Sequence, residues 1–208
     1  MHAEIPSEFK DYARRWLGEE RYKQFEQALG ASPSVSVRLN PHKNRDLITP
    51  LKCSAYDGMV PWSSFGFYLK SRPSFTSDPL FHAGGYYVQE ASSMFLESAI
   101  RQYIHHPVVA LDLCAAPGGK STHARSLLPE GSLLVSNEPI KARAQVLVEN
   151  MIKWGHPDVV VTNNYPQDFS SLPPIFDLLI TDVPCSGEGM FRKEEDAVTG
   201  WRKTERTA

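Results

Sequence analysis

Apolar residues recur at helical spacing near the start of the chain, where Phe9, Tyr12, Ala13, Trp16 and Leu17 predict an amphipathic helix. A second helical stretch over residues 19–29 stops at Gly30, a suitable C-cap. The period then changes. Val35, Val37 and Leu39 alternate with Ser36 and Arg38, which predicts a strand ended by Asn40-Pro41. Residues 70–79 are rich in Ser and Pro and read as loop. After Gly84-Gly85, the residues Val88, Ala91, Met94, Phe95 and Ala99 share one helical face, so residues 87–103 read as a helix ended by His105-His106-Pro107.

From residue 108 onward the pattern alternates strand and helix. Strands are predicted at 108–114, 132–137, 158–162 and 176–181, with helices at 122–128 and 140–154. Such alternation implies an α/β fold with a parallel sheet and helices on its faces. The glycine pair at 84–85 marks the expected boundary, dividing the chain into residues 1–84, a small α/β N-terminal region, and residues 85–208, the parallel-sheet domain. There are no internal repeats and no low-complexity tracts.

Composition narrows the class. The 208 residues are 41% hydrophobic and 22% charged, as in a soluble globular protein. No apolar run approaches the roughly 20 residues that span a bilayer, so no membrane partner is expected. Met1-His2-Ala3-Glu4-Ile5-Pro6 lacks the pattern of a secretion signal. Cys53, Cys114 and Cys185 form no CxxC pair and no zinc spacing, which argues for reduced thiols, a cytoplasmic setting and no metal. The net charge of −2 is divided unevenly, +2 over residues 1–85 and −4 over residues 86–208. Arg38, Lys43, Arg45 and Lys52, opposed only by Asp46, form a basic patch suited to RNA phosphates. By charge alone it also reads as a solvated loop. Arg192 and Lys193 are further candidates for phosphate contact, weakened by the following Glu194-Glu195-Asp196.

Chemistry concentrates in two places. The first is Asp112-Leu113-Cys114-Ala115-Ala116-Pro117-Gly118-Gly119-Lys120, a predicted strand, glycine turn and helix start. The glycines allow close backbone approach to a ligand, and the helix start offers free amides. Glu138 ends the second parallel strand, where an acid can accept from ribose hydroxyls. A P-loop is one reading, because Gly119-Lys120-Ser121 fits its end and residues 178–182 resemble a metal-holding strand. Cys114 then occupies the first glycine position, and Pro117 removes an amide from the phosphate cradle. Neither departure harms a site for S-adenosylmethionine, which carries no phosphate. A turn that merely packs helix on sheet is the third reading.

The second place is Asp182-Val183-Pro184-Cys185-Ser186-Gly187-Glu188-Gly189, after the fourth parallel strand. Parallel sheets bind ligands beyond the carboxyl ends of their strands, so both segments are expected on one crevice. Carbon 5 of cytosine is a poor nucleophile until a thiolate adds at carbon 6, which is the chemistry of an activated cysteine. Cys185 is the candidate thiol, although a lone cysteine is often only buried structure. Asp182 is suited to accept from the exocyclic amine of cytosine. Lys120 is suited to hold the base or ribose and to favour a thiolate. Cys53 has no such context and reads as structural.

These segments, with Ser36-Val37-Arg38-Leu39-Asn40 and residues 85–93 (Gly-Tyr-Tyr-Val-Gln-Glu-Ala-Ser-Ser), resemble the Sun-domain (Fmu/Sun) family of RNA cytosine-C5 methyltransferases, nearest to its bacterial 16S rRNA branch. The resemblance runs over nearly the whole chain. It implies a Rossmann-like methyltransferase sheet, here incomplete, preceded by an RNA-gripping region, with rRNA rather than tRNA as partner. It implies S-adenosylmethionine bound by residues 114–120, Glu138 and Asp182. In the family an acid after the third strand contacts adenosine; here Asn163-Asn164-Tyr165-Pro166 stands in that region, with Tyr165 in the acid's place. The family also uses two cysteines. The one matching Cys185 helps release the product, and the attacking one lies in a downstream Thr-Cys motif. The sequence holds no Thr-Cys pair, so it reads as a C-terminally truncated member with little or no turnover of its own. A P-loop NTPase and a non-catalytic RNA-binding module are the rival expectations; the oligomeric state is not legible.

Overall fold

The computed structural model describes residues 5–43, 55–183, 187–192 and 195–201. These fall into two compact units, one formed by residues 34–182 and the other by residues 1–33 with 183–208. Gly84-Gly85, the expected boundary, lies inside the larger unit.

In the smaller unit, helix α1 (Ser7–Gly30) is broken at Gly18, whose dihedrals are not helical. The two predicted helical stretches meet at that break. Phe9, Ala13 and Tyr22 pack with Phe191, Val198 and Trp201, the last two from and just beyond helix α6 (Glu195–Thr199). The Phe9 ring meets those of Phe191 and Trp201 edge-on at 5.0 and 5.5 Å. The Trp201 indole N–H donates to Glu188 Oε1 at 2.9 Å. Residues 202–208 lie outside the described ones.

The larger unit holds two sheets. The first is antiparallel, in the order β2 (Tyr56–Met59), β3 (Gly66–Leu69), β1 (Val35–Leu39), β4 (Tyr86–Val88). The alternation at residues 35–39 gave β1 its expected bounds. The single helix expected over residues 87–103 is corrected. Residues 86–88 form β4, Ser92–Phe95 is a 3₁₀ turn, and helix α3 occupies only Leu96–Tyr103. The free edge of β1 is the cause: Tyr86, Tyr87 and Val88 suit a pleated surface and pair with Leu39, Arg38 and Val37.

The second sheet is parallel, in the order β7 (Val159–Thr162), β6 (Leu133–Asn137), β5 (Val109–Asp112), β8 (Leu178–Ile180). Helix α4 (Gly119–Leu127) joins β5 to β6, and helix α5 (Lys141–Trp154) joins β6 to β7. Ala144, Leu147, Met151 and Trp154 are the buried residues of α5, and their spacing is the apolar stripe that the sequence predicts. Leu147 and Met151 join Ala110, Ala124, Leu134 and Ile180 in the core. A four-residue helix, α2 (Pro79–His82), precedes β4.

Asn40 ties the first sheet to the end of α5, because its Nδ2 donates to the carbonyls of Gly84 and Trp154, both at 2.9 Å. At Gly84, φ is +69° and a Cβ would lie 2.0 Å from the Lys153 carbonyl oxygen. Gly84→Ala is therefore expected to lower stability by more than the about 1–3 kcal/mol of backbone strain alone. A urea titration, read as a fall in midpoint at unchanged slope, checks it.

Candidate functional site

The strand order reverses direction at β5. The first crossovers lead through β6 to β7 on one side, and β8 then returns to the other side of β5. Open parallel sheets bind ligands at such a switch, outside the carboxyl ends of the flanking strands. Here those ends are Asp112 and, two residues beyond β8, Asp182.

The chain after Asp112 turns tightly into α4. The Ala115 amide donates to the Asn137 carbonyl at 2.8 Å, and the Gly118 amide donates to the Ala115 carbonyl at 2.8 Å. Gly118 sits at φ +111°, where an ideal Cβ would be 3.3 Å from Leu147 Cδ1. Only glycine takes this bend without strain. A cavity of about 250 Å³ opens between this turn and the β4 segment.

Cys114, Ala115, Ala116, Pro117, Gly119, Lys120 and Asp182 all line that cavity, so the two chemical segments expected on one crevice do meet there as far as Asp182. The Lys120 ammonium pairs with the Asp182 carboxylate, whose side chain stays 60% exposed and open to a ligand. Asp112 is 1% exposed. Its Oδ2 accepts from Ser121 Oγ at 2.6 Å, whereas its Oδ1 has no hydrogen-bond partner among the described residues. Burial pushes the Asp112 carboxyl up to about 6, against the Ser121 hydroxyl and the Lys120 charge. The Cys114 thiol is also raised, by burial first and then by Glu138 and Asp112. Cys114 forms part of the cavity wall.

Glu138 lies directly beneath the turn that walls the cavity. It is fully buried and does not line the cavity. Its Oε2 accepts from the Ala116 amide at 3.3 Å and its Oε1 from the Ile140 amide at 3.1 Å. Arg143 completes the arrangement, with Nη2 donating to the Ala116 carbonyl at 2.9 Å. In this geometry Glu138 holds the turn from beneath, a role that follows from its position at the end of β6, directly beside β5.

The basic candidates divide. Arg38, expected to meet phosphate, is 1% exposed, and that expectation is corrected. Its guanidinium donates to Gln89 Oε1 and Thr122 Oγ1, both at 2.7 Å, and lies 4.4 Å over the Trp154 ring. The face of β1 opposite Val37 and Leu39 is covered by α4 and α5, not by solvent. Lys43 is exposed, but its Nζ donates to the Ala83 and Lys153 carbonyls at 2.7 Å each. Arg192 Nη1 approaches the Ala28 carbonyl at 3.5 Å. Cys185, Arg45, Lys193, Cys53 and Lys52 lie outside the described residues. Tyr165, in the acid's place, is 61% exposed, and its backbone amide donates to Asp168 Oδ2 at 2.9 Å.

Sequence reasoning missed part of the cavity wall, namely Tyr87, Val88, Gln89, Glu90, Ser93 and Asp112. Five of these six lie in residues 85–93, a stretch noticed for its resemblance and given no chemical role.

Residues 5–91 match the family model for the N-terminal domain of 16S rRNA methyltransferase RsmF, and residues 104–208 match that for 16S rRNA methyltransferase RsmB/F. The ribosomal RNA small subunit methyltransferase F of Aliivibrio salmonicida (strain LFI1238) is 36% identical over 176 residues, 80% of this chain and 37% of that protein. Its counterpart from Aliivibrio fischeri (strain MJ11) is 37% identical over the same shares of the two chains. The chain thus spans little more than a third of the length of these relatives. A methyltransferase homolog protein from Pyrococcus horikoshii, solved by crystallography, superposes with a TM-score of 0.71 at 25% identity, over 94% of this chain and 69% of that one.

Proposed function

Since the chain belongs to the 16S rRNA methyltransferase RsmB/F family, we propose that it serves S-adenosylmethionine-dependent methylation of 16S rRNA at carbon 5 of cytosine, in the cytoplasm. The observation that carries this reading is the shared crevice at the sheet's switch point, where the glycine turn and the Lys120–Asp182 pair face one cavity. The residues present suit the cofactor. A glycine turn permits close backbone approach, and a buried carboxylate oxygen on Asp112 awaits a donor. When bound, the cofactor supplies an electrophilic methyl group.

The chain's own groups divide the remaining work. Residues 114–119 shape the cofactor cradle. Asp182 accepts from the exocyclic amine of cytosine, a hydrogen bond that uracil cannot donate. Lys120 fixes the Asp182 carboxylate in direction by pairing with it. Cys185 follows Asp182 by three positions and, by the family resemblance, assists product release. The thiolate that adds to carbon 6 belongs in the family to a Thr-Cys motif. Cys53, Cys114 and Cys185 follow Lys52, Leu113 and Pro184, so none of them supplies it. We therefore expect negligible 5-methylcytosine from these 208 residues alone, measured by mass spectrometry of digested 16S rRNA. Product above background would overturn that expectation. Residues 1–84 would help to grip the RNA.

A thermal-shift comparison tests the cofactor. S-adenosylhomocysteine at about 100 times its Kd should stabilise the chain by about 2.7 kcal/mol, a rise of roughly 5–10 °C. Mg-ATP should give none. A response to Mg-ATP alone would restore the P-loop reading, and RNA binding with no response to either would favour a non-catalytic module.

A further inference from the structure

Gln89 is 7% exposed and belongs to no part of the site that the family motifs suggest. Its position is over-determined. The Gln89 backbone carbonyl accepts from Ser36 Oγ at 2.6 Å, and its amide donates to the Ser36 carbonyl at 3.3 Å. Arg38 Nε donates to Gln89 Oε1 at 2.7 Å. That bond also settles which way the side-chain amide points, because a flip would set its NH₂ against a guanidinium that can only donate. The NH₂ group is therefore directed away from Arg38. Gln89 lines the cavity, and its Nε2 is buried without a hydrogen-bond partner among the described residues. A buried donor left unmade costs about 1–3 kcal/mol, which a bound acceptor would recover.

The acceptor's chemistry can be read from the surroundings. Nε2 lies 3.8 Å from the point where a Cβ on Gly119 would stand, which places it beside the first residue of the nine-residue helix α4. A helix N-terminus favours negative charge, as do the cations Arg38 and Lys120. Across the same cavity Asp112 Oδ1 is also buried and without a hydrogen-bond partner among the described residues, and it suits a donor. Asp112 and Asp182 oppose a polyanion such as a polyphosphate. One donor aimed at an anion and one carboxylate oxygen aimed at a cation suit a zwitterion.

The methyl donor contains one zwitterion, its α-amino acid end. Resting on the methyl-donor reading above, we propose that Gln89 is a cofactor-specificity residue whose Nε2 donates to the α-carboxylate, while Asp112 Oδ1 accepts from the α-ammonium. Arg38 is the positioning residue that holds the Gln89 amide in the donating orientation.

Calorimetry on the full chain with two ligands tests this. S-adenosylhomocysteine carries the amino-acid end; methylthioadenosine has the same nucleoside and thioether without it. The first variant is Gln89→Glu, which keeps an acceptor for Arg38 and replaces the donor with an oxygen that repels carboxylate. It should melt at or above the wild-type temperature, bind S-adenosylhomocysteine about tenfold or more weakly, and bind methylthioadenosine within about twofold of wild type. Gln89→Leu, which removes the donor without adding charge, should show the same ligand-selective loss, smaller in size. Equal loss for both ligands would make Gln89 a support of the turn only and overturn the proposal, as would unchanged binding of S-adenosylhomocysteine. A wild-type chain that binds neither ligand would instead sink the methyl-donor reading, and the inference with it.

Discussion

Glu97→Ala is expected to destabilise the protein by about 3–5 kcal/mol, the range for removing one member of a buried charged network. The Glu97 side chain is 2% exposed and gathers four neighbours. Its carboxylate accepts from Ser63 Oγ at 2.9 Å, Ser64 Oγ at 2.7 Å, Arg101 Nε at 2.7 Å and His123 Nε2 at 3.2 Å. Alanine would strand all of these donors at once, whereas Glu97→Gln would keep the shape and lose less. Urea midpoints of the two variants give the comparison. The same cluster sets a pH response. Burial alone would raise the Glu97 carboxyl, but the bonds from His123, Ser64 and Arg101 outweigh it and hold the group well below the usual carboxylate range. Burial lowers the His123 imidazole to about 4, against the pull of Glu97. Both folded values lie below the unfolded ones, so the unfolded chain binds more protons in acid. The His123 contribution is complete above about pH 6.5 and is lost on descending toward about pH 4; that of Glu97 is lost at still lower pH. Melting temperature should therefore fall steadily as the buffer is acidified below neutrality, and a flat profile would contradict this account.

Trp154→Ala should cost a similar about 3–5 kcal/mol. Trp154 is 2% exposed at the end of α5, with its indole N–H donating to Ser126 Oγ at 3.2 Å. Its ring supports the Arg38 guanidinium at 4.4 Å and meets the Tyr87 ring at 6.5 Å. Removing it leaves a cavity and takes away the surface against which a buried cation rests. A second effect should follow on ligand binding, because Arg38 positions Gln89. Trp154→Phe should restore most of the stability without the Ser126 bond. Chemical denaturation and calorimetry with S-adenosylhomocysteine separate the two losses.

The parallel sheet was readable because each of its strands is an apolar run set off from a helical stripe, as with Val159–Thr162 after Trp154. The cofactor turn was readable because Gly118 and Gly119 announce a bend between the two. The antiparallel sheet was not. β2 and β3 are four residues each with a register shift between Tyr56 and Met59, too short and irregular to alternate visibly. The period of Val88, Ala91, Met94 and Phe95 mimicked one helix, because spacing does not report that β1 has an edge to fill. Arg38 was misjudged for a related reason. Alternation along residues 35–39 shows that two faces differ, not that both are covered. Glu138 was assigned from its place at the end of β6 and from the family resemblance, neither of which says which way its carboxylate turns.

Arg38 begins in the middle of the antiparallel sheet and ends on the helix that follows the glycine turn, where its Nη2 also reaches the Gly119 carbonyl at 3.3 Å. One side chain thereby fastens two sheets that share no strand. Loosening either should release the other, so slow amide-hydrogen exchange in β1 and α4 ought to be lost together as a single opening unit. A molecule lodged against Gly119 would then be sensed as far away as the backbone of Ser36.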